Sequence, residues 1–392
     1  MAIYSFDLDY IKELNDTLGY SVGDKLIKAS GERLKGFIEA NTFIARLSGD
    51  MFLVLHYGID TKASINKFAE RLIHCFQDPV KINDCEIYTS ISIGISLFPQ
   101  NGLTADDLIK HANSALLSIK DTYRNCYKLF ETSISEKFKS LLTMENQLRK
   151  AIIGGQFELY YQPQVDFTSS RIIGVEALLR WRHPEKGYIS PRDFISIAEK
   201  TGIIIDIGEW VLHEACRQNK KWQDEGLTPI VVSVNLSAVQ LHQKGFVGKI
   251  KKILNETNLD AKYLELEITE SMAMKNEQSI LDILQELRSE GILVAIDDFG
   301  TGYSSLKSLS LFPITKLKID KMFMNKQDEN RLIVKSIIQL SHSLNMKVIA
   351  EGVETKEQFT FLQQEKCDEM QGYFFSRPVP AYQLKEMLLN DN

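Results

Sequence analysis

In the C-terminal half of the sequence, apolar runs repeatedly end in a residue able to hold a cation or move a proton. Glu176 lies in Val-Glu-Ala-Leu-Leu-Arg180, Asn235 ends Ile-Val-Val-Ser-Val-Asn, and Glu267 stands in Leu-Glu-Leu-Glu-Ile-Thr-Glu270. Ile-Leu-Val-Ala-Ile296 stops at Asp297 and Asp298, followed by Lys318-Ile-Asp320, Glu351 and Gln371. Each is an oxygen ligand, an acid or a lysine. A single such residue reads as a helix cap or a buried hydrogen-bonder, but this many on successive strands would bury an intolerable charge without metal. Carboxylates with one amide, and no His or Cys among them, suit Mg²⁺ or Mn²⁺ and argue against zinc. The adjacent Asp297 and Asp298 need a strong local cation to stay ionised together, and they can serve two ions with Asp297 bridging. Two ions in one site are the arrangement for in-line phosphoryl hydrolysis. Lys318 is suited to hold or polarise a water, Glu351 to bind the second ion or take the proton, and Arg180 to pair with a phosphate. The residues alone predict a metal-dependent phosphodiesterase of unidentified substrate.

Such residues must be carried to one place. Strands are predicted at 157–162, 172–179, 230–235, 263–268, 292–297, 315–319, 347–351 and 369–373, with helical segments between the later ones. That alternation suits a closed (β/α)8 barrel, which brings strand ends to one mouth. Residues 1–131 read as a separate α+β domain. Its predicted strands are 3–6, 42–47, 51–56, 88–97 and 126–130, with a hairpin around Ser48-Gly49-Asp50. Helices are predicted at 10–18, 22–39, 62–77 and 105–120. An amphipathic helix over 132–154 links it to the barrel at 155–392.

At 392 residues the chain is long enough for two cores, and a net charge of −6 argues against a general nucleic-acid binder. The five cysteines are scattered and odd in number, with no metal-ligand spacing, and read as reduced thiols of a cytoplasmic protein. No apolar stretch is long enough to span a membrane and no signal peptide is present. The chain enters a strand almost at Met1, which suggests that it begins inside a domain.

The motif set then becomes specific. Glu176-Ala-Leu178, Asn235-Leu-Ser237, Glu267-Ile-Thr-Glu270, Asp297-Asp298-Phe-Gly-Thr-Gly-Tyr303, Lys318-Ile-Asp320, Ala350-Glu-Gly-Val-Glu-Thr355 and Gln371-Gly-Tyr373 resemble, in order, those of the EAL-domain cyclic di-GMP phosphodiesterases. The resemblance implies a bacterial signalling enzyme that opens cyclic di-GMP to linear pGpG with two Mg²⁺ or Mn²⁺ ions. It assigns Glu176, Asn235, Glu267, Asp297 and Asp298 to metal, with Asp320 beside them. Lys318 and Glu351 fall to the catalytic water, and Gln162, Arg180 and Gln371 to substrate or active-site support. Glu270 would anchor the loop 298–305, which in this family couples dimerisation to activity, so a homodimer through the barrels is expected. The alternatives are a receptor that binds cyclic di-GMP without hydrolysing it, and a bifunctional enzyme that also makes it.

The front domain resembles a GGDEF diguanylate cyclase domain with damage. Asp7, Asp9, Asn15, Asp24, Lys120 and Arg124 match metal, guanine or phosphate positions, giving a possible GTP site. The signature turn is Ser48-Gly49-Asp50-Met51-Phe52, where Met51 replaces a needed acid and Ser48 a glycine. The Arg-x-x-Asp inhibitory site, which would fall at 39–42, is absent, as is the domain's opening helix. These residues are either a regulatory nucleotide pocket or remnants and caps, with Asp24 starting a helix.

Overall fold

The structure, a computed structural model, describes residues 1–391 except 38, 60, 83–84, 121–123, 274–277, 301–308, 310 and 325–327, and describes no side chains for 133–140 and 328–329. The chain divides into two compact units, Met1–Thr143 and Met144–Asn392. The boundary falls within a single helix, Thr132–Ile153.

The first unit is built on a sheet of order β2-β3-β1-β6-β7, from β1 (Ala2–Leu8), β2 (Thr42–Ser48), β3 (Met51–His56), β6 (Ile91–Leu97) and β7 (Tyr127–Leu129). All of β1 is buried because it is central, with antiparallel neighbours on both edges and cover on both faces. Burial on both faces takes in Ser5 and Asp7 as well as the apolar residues of the strand. The predicted strand 88–97 is shorter. Tyr88 is exposed, and a separate hairpin of β4 (Val80–Ile82) and β5 (Cys85–Ile87) precedes β6. Three-residue strands are too short to show periodicity. Helix Tyr20–Lys35 begins before Asp24, so Asp24 does not start it.

The second unit is an eight-stranded closed ring of β8 (Phe157–Asp166), β9 (Ile172–His183), β11 (Val231–Asn235), β12 (Leu264–Thr269), β13 (Leu293–Phe299), β14 (Lys316–Ile319), β15 (Lys347–Ala350) and β16 (Glu369–Met370). Short strands β10 (Gly187–Ile189) and β17 (Val379–Pro380) add to β9 and β8. One strand departs from a regular (β/α)8 barrel: β8 runs antiparallel to both β9 and β16. It turns directly into β9, and Asp166 shapes the turn by accepting hydrogen bonds from the backbone N–H groups of Thr168 (3.1 Å) and Ser169 (2.7 Å).

The alternation along the barrel strands is opposite to that of an apolar core. Leu264, Leu266 and Ile268 of β12 are fully buried apolar residues of the core, and Glu265 and Glu267 alternate with them. On β14, Leu317 and Ile319 belong to that core while Lys316 and Lys318 alternate with them. Inward-facing charges then meet in two layers. In the lower layer, Lys316 Nζ sits 3.1 Å from Glu265 and 2.9 Å from Glu369, and Lys347 lies 3.1 Å from Glu369. Both buried carboxylates of this layer thus have an ammonium partner, Lys316 from within it and the largely exposed Lys347 from its rim.

Candidate active site

The upper layer is not neutral. Lys318 is completely buried, and its Nζ lies 2.6 Å from Glu267, 2.7 Å from Glu351, 3.1 Å from Asp297 and 3.8 Å from Glu176. Four carboxylates from β12, the end of β15, β13 and β9 thus share one ammonium. Burial opposes charging Lys318, but these acids outweigh it and hold its pKa well above the ordinary lysine range. Burial raises Glu267 well above the usual carboxylate range and pushes Glu351 up to about 8. Asp298 is pushed up to about 6 by burial, by repulsion from Asp297 and by a hydrogen bond with Asp320. Such shifts mark a site with more negative charge than its protein cations compensate.

A local deviation in β13 lets consecutive acids face one mouth. Neighbouring strand residues ordinarily point to opposite faces. Here the register with β14 shifts between Ile296 and Phe299, and Asp298 takes a positive φ of 53°. That bulge and left-handed residue re-aim one side chain. Oxygens of Asp297, Asp298 and Glu351 come within 4.8 Å of one another, the spacing of a metal-binding group. Glu270 accepts a hydrogen bond from the Gly300 N–H at 2.8 Å, tying down the start of the next loop. A Cβ on Gly300 would approach Phe323 to 2.9 Å, and its φ is +98°, so glycine is required there. The rest of that loop, 301–308, lies outside the described residues.

The amides fix Glu176. Asn235 Nδ2 donates to one of its oxygens at 2.6 Å and Gln371 Nε2 to the other. The Asn235 carbonyl oxygen takes no part in this bond. Gln371 Nε2 also donates to Gln162 Oε1 at 3.1 Å, and Gln162 Nε2 to the Ser376 carbonyl at 3.2 Å. Asp320 accepts from the Met322 N–H at 2.6 Å. Arg180 stands further along β9, donating to the Leu179 carbonyl and lying over the Tyr160 ring at 5.5 Å. Glu265, Lys316, Ser233 and Gln164 are buried polar residues that the search for strand-end acids passes over. The alternation Leu-Glu-Leu-Glu and Lys-Leu-Lys is the signal for Glu265 and Lys316, since it reveals a polar barrel interior.

The donor set fits Mg²⁺ or Mn²⁺: oxygens only, an excess of negative charge, and a buried Glu267 Oε1 with no protein partner. Glu351 and Asp298 bind protons more tightly folded than unfolded. Their stabilisation is complete below the unfolded value of about 4 and is lost as pH rises through about 6 and about 8. Metal-free protein should accordingly melt at progressively lower temperature from about pH 5 to 8.5. The gain from added Mn²⁺, which needs ionised carboxylates, should grow over the same range. Thermal melts in chelator and in Mn²⁺ check this; a flat chelator curve would contradict it.

In the first unit, Asp7 pairs with Lys120, and Met51 stands directly opposite Asp7 in the β1–β3 register. Asp9 accepts hydrogen bonds from Ser90 Oγ (2.6 Å), Ser92 Oγ (2.9 Å) and the Asn125 N–H (3.2 Å). Arg124 lies over the Tyr10 ring at 3.9 Å, near Glu13, while Asn15 Oδ1 is buried against Gly23. Asp24 is exposed. Only Asp7 and Lys120 of the expected nucleotide site are thus in direct contact.

Comparison with known proteins finds a family for each unit. Residues 145–378 match the EAL domain model and residues 1–126 the diguanylate cyclase, GGDEF domain model. The chain is 42% identical over 386 residues, 98% of its length, to the Pseudomonas aeruginosa protein named bifunctional diguanylate cyclase/cyclic di-GMP phosphodiesterase MucR, of which the match covers 56%. It is 35% identical over 97% of its length to the Escherichia coli cyclic di-GMP phosphodiesterase PdeR, covering 58% of that protein. The chain therefore spans little more than half the length of these relatives. The solved PaMucR phosphodiesterase in complex with c-di-GMP superposes with a TM-score of 0.60 at 45% identity, over 62% of this chain and 99% of that one. The EAL domain of Mycobacterium smegmatis DcpA does so with 0.52 at 31% identity, over 61% and 98%. The chain belongs to the EAL-domain family and carries a GGDEF domain ahead of its barrel.

Proposed function

We propose that the barrel hydrolyses one phosphodiester of cyclic di-GMP to give linear pGpG, using two Mg²⁺ or Mn²⁺ ions. The observation that carries this reading is the contrast between the two polar layers of one barrel. The lower is balanced by its own lysines, whereas the upper sets Glu176, Glu267, Asp297 and Glu351 against Lys318 alone. Glu176, Asn235, Glu267, Asp297 and Asp298, with Asp320 alongside, would hold the ions. When bound, these ions supply an activated water and charge neutralisation at the phosphate.

The protein's own groups do the rest. Lys318, held among carboxylates, is placed to orient the attacking water with an N–H that would be released as bound ions take over one of those acids. Glu351, 2.7 Å from Lys318, is placed to receive the proton released by that water, provided the bound ions hold its carboxylate ionised. Arg180, outside the acid cluster, engages a phosphate, and Gln162 and Gln371 keep Glu176 in place. The related structure with c-di-GMP bound supports the choice of dinucleotide.

The front unit reads as a regulatory or structural domain, not a second active site. A cyclase needs acids free to hold metal, and here Asp9 already accepts from Ser90, Ser92 and Asn125, one oxygen of Asp7 is paired with Lys120, and Met51 stands where Asp7 needs a further acid. The buried, unpartnered Asn15 Oδ1 favours a guanine-nucleotide effector there, tested by titrating GTP against barrel activity. A homodimer through the barrels belongs to the same proposal, tested by light scattering.

The test of the main reading is incubation of the chain with cyclic di-GMP and Mg²⁺ or Mn²⁺, with and without chelator, followed by chromatography. Linear pGpG formed only with metal is the expected result. Tight binding with no linear product would make the protein a receptor, and product from GTP alone would make it a cyclase.

A further inference from the structure

The two polar layers of the barrel are joined at one side chain. Gln164 of β8 is fully buried, and its Nε2 lies 3.4 Å from Ser233 Oγ and 3.2 Å from Gln371 Oε1. The chemical roles along this path follow from its two ends, where hydrogen positions are unambiguous. Below, Lys316 is a donor and Glu265 an acceptor, so Ser233 gives its hydroxyl hydrogen to Glu265 at 2.7 Å. The Ser233 oxygen must then accept, which turns the NH₂ group of Gln164 toward it. The second N–H of that NH₂ meets Gln371 Oε1. With its carbonyl engaged, Gln371 directs its own NH₂ to Gln162 and to Glu176. Only a group with two N–H donors satisfies both neighbours. Gly174 leaves room for it, since a Cβ there would come within 2.9 Å of Gln164 Oε1.

We infer that Gln164 is a positioning residue for the phosphodiesterase site: it fixes the amide orientation of Gln371, so that an N–H and not a carbonyl faces Glu176. Were the Gln371 amide to turn over, its oxygen would oppose the Glu176 carboxylate and displace it from the cation. The inference rests on the reading of Glu176 as a metal ligand. Partners of metal ligands typically govern affinity by about 10- to 100-fold.

The experiment is a double-mutant cycle read by Mn²⁺ affinity, from paramagnetic resonance of free Mn²⁺ at pH 8, with melting temperature recorded for each variant. Gln164→Met, similar in shape, removes both donors and should weaken Mn²⁺ binding by about 10- to 100-fold. Gln164→Glu has one O–H donor when protonated and none when ionised, so it cannot serve both Ser233 and Gln371; ionised, it attracts the Gln371 N–H and turns its carbonyl to Glu176, and its loss should be at least as large. In a Gln371→Met background, Gln164→Met should add less than about 2-fold, because its route to Glu176 is already cut. Parental affinity in Gln164→Glu, or additive effects in the double variant, would overturn the inference. Should Gln164→Met fail to fold, Gln164→Glu decides alone. A parent chain that binds no Mn²⁺ would instead overturn the metal reading, an outcome distinct from these.

Discussion

Asp297→Asn should slow cyclic di-GMP hydrolysis by about 10³-fold while raising the melting temperature of the metal-free protein. The two effects have opposite sign because one charge serves two purposes. Asp297 Oδ1 is 3.1 Å from Lys318 Nζ, yet Lys318 already has Glu267 and Glu351 closer. Removing one of the mutually repelling acids therefore relieves the fold. An asparagine carbonyl can still accept the Asp298 N–H bond, now 3.0 Å long, so the local turn survives. Catalysis loses a shared ligand whose cation supplies several kcal/mol, and about 4 kcal/mol corresponds to roughly 10³ in rate. Product assays and chelator melts on the same sample check both halves. A variant that melts lower and turns over at the parental rate would remove Asp297 from the metal site.

Lys318→Met reverses the stability effect. It takes away the ammonium that Glu176, Glu267, Asp297 and Glu351 share and leaves buried acids without compensation. Breaking such a buried arrangement on one side costs about 3–5 kcal/mol. Denaturant titration in chelator should show that loss, and saturating Mn²⁺ should restore part of it by neutralising the same acids. Hydrolysis should not return with stability, because the donor to the attacking water is gone. A metal-free variant as stable as the parent would show that Lys318 does not neutralise the cluster.

The acids were legible in the sequence because they interrupt or end apolar runs, and β12 to β15 lie where the periodicity puts them, to within a residue or two. The antiparallel course of β8 was not. Strand direction leaves no mark on an apolar run, and the 167–171 turn reads simply as a loop. The way Asp297 and Asp298 reach one mouth was equally hidden, since it depends on a register shift and a positive φ. Gln164 escaped notice for a different reason. Its neighbours Gln162 and Gln371 belong to the motif set, whereas its own role comes from Ser233 and Gln371, each far away in the chain. In the front domain Asp7, Asp9 and Lys120 read as ligands from the resemblance to a GGDEF domain. Their internal partners Ser90, Ser92 and Lys120 were visible only in three dimensions.

The central claim is that the unbalanced upper layer holds two divalent ions which cyclic di-GMP hydrolysis requires. Its most direct test is to titrate metal-free protein with Mn²⁺ and count bound ions by paramagnetic resonance, measuring pGpG formation in the same samples. The account predicts two ions per chain, with turnover rising only as the second is taken up and falling to zero in chelator. Full turnover with one ion or fewer per chain, or undiminished turnover in chelator, would contradict it.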